Sequence, residues 1–362
     1  MCGLLGRNRE AEDLHNAVLE KRKHILGNED PATLTSMNNL AVVYEDQGKL
    51  AESLSLHKEV MEKRKQILGD KHPDTLSSMY NIGIVYRELW RTKEAAAMPK
   101  EVLEKRKDIF GDEHPDTLKS MQSLADTYSD LGRLEEAAAK HKEVLEKRKD
   151  ILGDEHPDTL RSMDNLASTY FNLGRLEDAA KLHEDELLMR KHVLGDDHPD
   201  TLKTMNNLAV VYDKQESYEE LEQLQEEVFE KHKRILGDDH PDTLISMNNL
   251  AKTYFRTEGR REEATRLQKE VLEKRKRILG PDHAYTLETM NNLRIYHYIQ
   301  ERYPEAAEVT EDLLKKQQRI LGSEHRDTLW STKVLALTYR KQGRDLDAAR
   351  LEDRLRGTHL ED

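Results

Sequence analysis

The chain repeats itself every 42 residues. A Leu-Gly pair closes at Gly27, Gly69, Gly153, Gly195 and Gly237, with Phe-Gly at Gly111, and successive members stand 42 residues apart. The step from Gly237 to Gly280 is 43, the extra residue falling in the Arg256–Gly259 turn, and Gly280 to Gly322 returns to 42. A period of this length marks stacked copies of one supersecondary unit, because each copy can bury its apolar face only against its neighbours. A single insertion confined to a turn is what such a stack tolerates.

One unit, His156 to Gly195, shows the physics. His156-Pro157-Asp158-Thr159 opens a helix: proline suits the first helical position, where its missing N–H has no partner, and Asp158 suits the positive helix end. Leu160, Met163, Leu166, Ala167 and Tyr170 then form one apolar stripe at helical spacing. Gly174-Arg175 ends that helix, a second runs from about Leu176 to Val193 with Ala179, Ala180, Leu182, Leu187 and Leu188 inward, and Gly195 ends it. Small residues recur where two helix axes approach: Ala41, Gly83, Ala125, Ala167, Ala209 and Ala251 in the first helix, and Ala95 or Ala96, Ala137 and Ala179 in the second.

Composition excludes several alternatives. Charged residues make up 36% and aromatics 5%, a profile shared by disordered chains and long helical arrays; the helical spacing of the apolar residues selects the array. The formal net charge of −13, spread over mixed-sign helix faces, opposes nucleic-acid binding, which needs clustered Lys and Arg. No apolar run approaches the roughly 18 residues of a membrane span, and Met1 to Glu10 lacks a signal-peptide core. Cys2 is the one cysteine, so a disulfide framework and a thiolate metal site are both excluded, and a reducing cytoplasmic setting fits.

The wording Leu-Ala-x-x-Tyr-x-x-x-Gly-x-x-x-x-Ala resembles the tetratricopeptide repeat. The 42-residue length, the His-Pro-Asp opening and Asn206-Asn207-Leu208-Ala209 resemble its kinesin-light-chain variety. The run Lys-Arg-Lys-x-Ile-Leu-Gly-Asp-x-His-Pro-Asp-Thr-Leu is similar to repeat tails of fungal nucleotide-binding immune-type receptors. The resemblance spans nearly the whole chain and implies an all-α, right-handed superhelical solenoid of antiparallel helix pairs, about 17 helices. Residues 1–362 read as one array: 5–27 a lone second helix of an incomplete repeat, 28–344 successive repeats, 345–362 a C-terminal capping helix. Leu5-Gly6-Arg7 aligns with Leu131-Gly132-Arg133, so the chain is expected to start inside a repeat, as a fragment or the tail of a longer receptor.

Histidines recur at 72, 114, 156, 198, 240, 283 and 325, with Asp30 in the first place. Consecutive members lie one repeat apart, too far to share an ion, so they read as helix-entry residues. His15, His57, His141 and His183 sit midway along second helices, where Pro99, Gln225, Gln268 and Thr310 replace them; this reads as packing. The Lys-Arg-Lys runs at 63–65, 105–107, 147–149 and 274–276 suit negative helix ends and face Glu four residues earlier, as in Glu101 with Lys105 and Glu143 with Lys147. No phosphate loop, nucleophile setting or His-Glu-x-x-His helix is present; neither an enzyme nor a cofactor is expected.

The candidate site is a ladder. Asn39, Asn81, Asn165, Asn207, Asn249 and Asn292 hold one first-helix position, doubled by Asn38, Asn206, Asn248 and Asn291. Asparagine competes with helix backbone bonds, so its recurrence there has a local cost. In similar kinesin-light-chain repeats this position holds the backbone of an extended peptide on the concave face, and an amide, both donor and acceptor, pairs with a peptide unit of any sequence. The competing reading is a structural ladder bonding neighbouring repeats. Lys119, Arg161 and Lys203 stand one turn earlier, and Lys252 and Arg256 project from the sixth first helix; these predict a preference for acidic peptides, anchored beside Phe171 or Phe255. Ser123 and Val334 break the ladder.

The expected function is a scaffold holding a protein or acidic peptide, without nucleic acid or membrane. Two alternatives stand beside it: a sensor or assembly segment of a larger NLR-type receptor, and a structural array that self-associates, for which Leu14, Val18 and Leu19 would be the uncovered end. The weak joint is expected at the seventh repeat, where Arg294 replaces the small residue and His297 the tyrosine, so that the helices splay or Arg294 snorkels.

Overall fold

The computed structural model describes the backbone of residues 2–356 and the side chains of 10–355. Among the described residues there are 17 helices and no strand. They form two compact units, Met1–Val193 and Leu194–Asp362. The first contains α1 (Cys2–Leu26), α2 (Pro31–Asp46), α3 (Leu50–Leu68), α4 (Pro73–Glu88), α5 (Thr92–Phe110), α6 (Pro115–Asp130), α7 (Leu134–Leu152), α8 (Pro157–Asn172) and α9 (Leu176–Leu194). The second contains α10 (Pro199–Gln215), α11 (Tyr218–Leu236), α12 (Pro241–Arg256), α13 (Arg261–Leu279), α14 (Ala284–Ile299), α15 (Tyr303–Leu321), α16 (Arg326–Lys341) and α17 (Asp345–Arg356). Even-numbered helices are the first helices of the repeats. Of the capping helix expected over 345–362, α17 accounts for 345–356; residues 357–362 lie outside the described ones.

Two kinds of turn set the period. After each second helix the Leu-Gly glycine sits at φ near +90° and ψ near 160–170°, as at Gly69 (φ 94, ψ 164). That region is open essentially to glycine alone, which is why no repeat departs from it. Thr75 Oγ1 then donates to the Gly69 carbonyl at 2.9 Å, and Thr159, Thr201, Thr243 and Thr286 do the same to theirs. The turn between first and second helix needs only the left-handed helical region, φ 71–80° at Gly48, Gly132, Gly174, Gly259 and Gly343; there Trp90, Glu216 and Glu301 stand in at φ 55–61°.

The core is a chain of small clusters rather than one centre. Met163, Leu160 and Leu166 of α8 pack with Ala138 and Leu145 of α7; Leu250, Tyr254 and Ala264 pack with Tyr296. At the start of the chain Leu19 is buried with Leu34, Met37, Leu40 and Val60, so α2 and α3 cover it, whereas Leu14 and Val18 are exposed: of the three residues expected at an open face, Leu19 alone is covered.

The seventh repeat also differs from expectation. Arg294 neither snorkels nor finds a carboxylate. It is 2% exposed, and its Nε and Nη2 donate to Asn291 Oδ1 on its own helix at 2.9 and 2.6 Å while Nη1 has no partner. Burial lowers its pKa to about 10. His297 is buried as well, with Nδ1 unpartnered.

Candidate functional site

Each histidine of the 72–325 series is a helix cap. Nδ1 accepts the backbone N–H two residues on at 3.1–3.2 Å, as His156 does from Asp158, and Asp30 Oδ1 does so from Ala32 at 2.8 Å. A side-chain acceptor there satisfies one orphan donor of the first turn. Three of the mid-helix histidines are buried and face carboxylates, while His15 is half-buried. His57 Nε2 lies 2.7 Å from Glu45, His183 Nδ1 3.1 Å from Glu186, and His141 Nε2 3.5 Å from Asp126. Gln225 and Gln268 serve the same place, accepting from Thr253 Oγ1 at 2.7 Å and donating to Asn248 Oδ1 at 3.1 Å.

The Lys-Arg-Lys runs divide into two roles. The outer lysines pair locally, Lys63 with Glu59 and Lys105 with Glu101 and Asp70; Lys147 turns to Asp112 instead, and Glu143 pairs with Lys140. The central arginine is buried. Arg106 Nη1 donates to the Asp116 carbonyl at 3.0 Å and to Ser120 Oγ at 2.8 Å; Arg22, Arg64, Arg148 and Arg275 make the same clamp onto the next first helix. Its pairing of a carbonyl with a hydroxyl is set by a Ser or Thr at the sixth position of the helix, four residues after the bonded carbonyl, a pairing that spacing alone conceals.

The asparagine ladder serves partly as a rung between repeats. Asn81 Nδ2 donates to Asn38 Oδ1 at 3.0 Å, and Asn292 Nδ2 reaches Asn248 Oδ1 at 3.5 Å. Asn39 is exposed; Asn81, Asn165, Asn207, Asn249 and Asn292 are half-buried. Of the cations, Arg161 pairs with Asp158, Lys252 with Glu288 at 3.2 Å, and Arg256 with Asp213; Lys203 and Asn207 are also engaged. Lys119 is exposed.

Two clefts gather these residues. In the second unit a cleft of about 840 Å³ opens between α10 and α12 over the end of α11. Val210, Ile245, Ile235 and Leu236, 40–56% exposed, form its apolar part. Asn206, Asn249 and Gln225 contribute amides, and Lys203, Lys252 and Arg256 are balanced by Asp197, Asp213 and Asp242. Phe255 is not part of it; it stacks on Tyr296 with centroids 4.0 Å apart. In the first unit a smaller cleft of about 300 Å³ lies between α6 and α8 over α7, lined by Asp126, Ser129, Asp130, His141, Asn165, Ser168, Thr169 and Asn172, with Arg87 of α4. The two are the same place in the repeat, 84 residues apart: Asp126 matches Val210, Ser168 matches Lys252, and His141 matches Gln225. Asn39, Asn81, Asn207, Asn292, Lys119 and Arg161 line neither. The sequence signal for the apolar cleft is Ile245 breaking the Lys119, Arg161, Lys203 row.

Among the described residues Asp164, His183 and Glu186 bring ligand-type atoms within 4.8 Å of one another. Glu186 spends one oxygen on His183 and the other on Arg190 Nε at 2.7 Å, so both carboxylate oxygens already have protein partners.

The repeats match models of the tetratricopeptide repeat over residues 1–64 and 37–108, and over 117–158, 159–200, 201–242, 243–285 and 286–327. No curated protein matches the sequence. Among solved structures, one from Podospora anserina with kinesin light chain, nearly identical TPR-like repeats is 28% identical, covering 57% of this chain and 97% of its own, at a TM-score of 0.53. A signal transduction ATPase with a tetratricopeptide repeat sensor from Pyrococcus horikoshii is 14% identical over 96% of this chain and 52% of its own, at 0.61. The quorum sensor NprR of B. thuringiensis is 15% identical over 97% and 94%, at 0.53.

Proposed function

Because this chain belongs to the tetratricopeptide-repeat family, whose members generally mediate protein–protein interaction, we propose that it is a scaffold for a polypeptide segment, held across the first helices of the second unit with a large apolar side chain seated between α10 and α12. The observation that carries this reading is the cleft of about 840 Å³ whose apolar part, Val210, Ile245, Ile235 and Leu236, is open to solvent. Ile235 and Leu236 are exposed as their counterparts Ile151 and Leu152 are, and Val210 and Ile245 extend that pair into a contiguous apolar surface. Asn206 and Asn249 stand beside them and can pair with a ligand backbone. The rim carries three cations and three carboxylates, and Arg256 and Lys252 already hold acidic partners. Recognition in this cleft therefore rests on apolar burial and amides, and carboxylates on the ligand add weakly through Lys203 and Lys252, each exposed pair being worth about 0.2–1 kcal/mol.

A displayed library of random twelve-residue peptides, selected on the full chain, tests the reading. Enriched peptides should share a large apolar residue, bind at roughly micromolar affinity and lose binding to a Val210→Glu/Ile245→Glu variant that keeps its melting temperature. Enriched peptides that bind this variant as well as the parent would refute it. A chain that enriches no peptide but sediments as a concentration-dependent oligomer would point to the self-associating array instead.

A further inference from the structure

We propose that the cleft of the first unit is a subsite for a basic side chain, lysine or arginine, of a polypeptide; this rests on the reading that first-helix faces bind polypeptide and adds a separate place of opposite chemistry. Two carboxylates line it, Asp126 and Asp130, and one guanidinium serves both: Arg87 Nη1 is 3.7 Å from Asp126 and its Nε 3.5 Å from Asp130. Neither distance is a good hydrogen bond. The lining therefore keeps an excess of one negative charge, with no second cation in it.

The buried histidine supplies the independent observation. His57 and His183 close short contacts with their carboxylates, at 2.7 and 3.1 Å. His141, 3% exposed, stands 3.5 Å from Asp126 Oδ1, its one polar contact among the described residues, and forms part of the cleft wall. The space of about 300 Å³ beside the pair holds one side-chain head group with its stem. Burial drives the imidazole down to about 4, so near neutral pH it is an acceptor, and burial holds the Asp126 carboxyl up at about 6 against the opposing pull of Arg87. The cation nearest Asp126, Arg87, stands at 3.7 Å and is shared with Asp130, so an ammonium or guanidinium from a ligand would bring the close charge-assisted bond that Arg87 does not make. The groups facing this site are Asp130 and Arg87, with Arg148 of α7 acting on both members of the pair. Equivalence within the repeat agrees: the place of Ser168 holds Lys252 in the second unit, so that unit carries its own cation where the first leaves room for a ligand's.

Binding of fluorescein-labelled hexa-arginine to the full chain, followed by anisotropy, tests the proposal. Asp126→Asn/Asp130→Asn should weaken it about tenfold, and Ser168→Lys, an exposed change that fills the cleft with a tethered ammonium, should do the same. The charge-matched control Glu20→Gln/Glu146→Gln, at exposed carboxylates, should weaken it no more than about twofold. Affinity should also rise as pH passes about 6, where Asp126 ionises. Equal losses for the control and the cleft variants would overturn the subsite. The polypeptide reading is tested separately, by Val210→Glu/Ile245→Glu on library peptides, so the two can fail independently.

Discussion

The ring of Pro99 occupies the space in which a side chain on Gly83 would begin: a Cβ at Gly83 would lie 3.2 Å from Pro99 Cγ and 3.3 Å from Cδ. Gly83 is the one glycine in a row that is alanine in every other repeat but the seventh, and Pro99 stands where other repeats place histidine, glutamine or threonine. The two departures are one exchange of volume across α4 and α5. In the parent, Gly83→Ala should destabilise, because overpacking against a rigid ring, about 1–3 kcal/mol, exceeds the helix-propensity gain of about 1 kcal/mol. In a Pro99→Ala background the same change should stabilise by about 1 kcal/mol. A double-mutant cycle from urea unfolding checks it; the same sign in both backgrounds would contradict the coupling.

Glu301 sits at φ 60° where equivalent turns have glycine. A left-handed conformation costs a non-glycine residue about 1 kcal/mol or more, so Glu301→Gly should raise stability by roughly that amount. Gly132→Ala at the matching turn, φ 71° with open space around it, should lower it. Thermal unfolding of both variants reads the pair, and a destabilised Glu301→Gly would show that the turn is held by side-chain contacts instead.

Asp126 and His141 pull stability in opposite directions with pH. Burial raises Asp126 from 3.8 to about 6, so between those values the folded chain holds a proton that the unfolded chain has released, and stability falls as pH rises. Burial lowers His141 from 6.5 to about 4, so the unfolded chain holds the extra proton over nearly the same window, and stability rises with pH. The two slopes offset each other in the parent. Asp126→Asn should uncover a rise between pH 4 and 6.5 relative to the parent, and His141→Gln, borrowing the residue at 225, a fall between pH 4 and 6. Denaturation midpoints across that range give the answer; parallel curves for all three chains would refute the linkage.

Arg294 has a buried guanidinium with one unpartnered nitrogen and a pKa pressed down to about 10. Replacing a poorly compensated buried charge by an apolar residue of similar volume is neutral or stabilising by about 1–4 kcal/mol. Arg294→Met should therefore raise the melting temperature. A lower one would mean that the bonds to Asn291 outweigh the desolvation.

The period, the helix pairs and the cap histidines were legible because each is a local rule repeated many times: proline after the cap, glycine at a turn only glycine can make, apolar residues at helical spacing. The clefts were less so. Recurrence in a sequence favours positions the array needs everywhere, and Asn81 and Asn292 accordingly bond neighbouring repeats. What distinguishes a cleft is departure from the repeat. Ile245 interrupts the polar row Thr35, Ser77, Lys119, Arg161, Lys203, while Val210 stands in a row that is apolar in most repeats; their joint meaning depends on α10 and α12 bringing them to one opening. Arg294 is legible as a misfit in a row of small residues, but whether a long cation escapes or stays buried depends on a local acceptor, Asn291, one turn away.

The central claim is that the polypeptide lies on the first-helix side of the second unit. The most direct test places a photoreactive benzoylphenylalanine at 245 in one variant and, in another, at 266, where Arg266 of α13 is 76% exposed, and irradiates each with a library-selected peptide. The account predicts a crosslink from position 245, suppressed by excess unlabelled peptide, and none from 266. A crosslink from 266 with none from 245 would place the ligand on the second helices and contradict it.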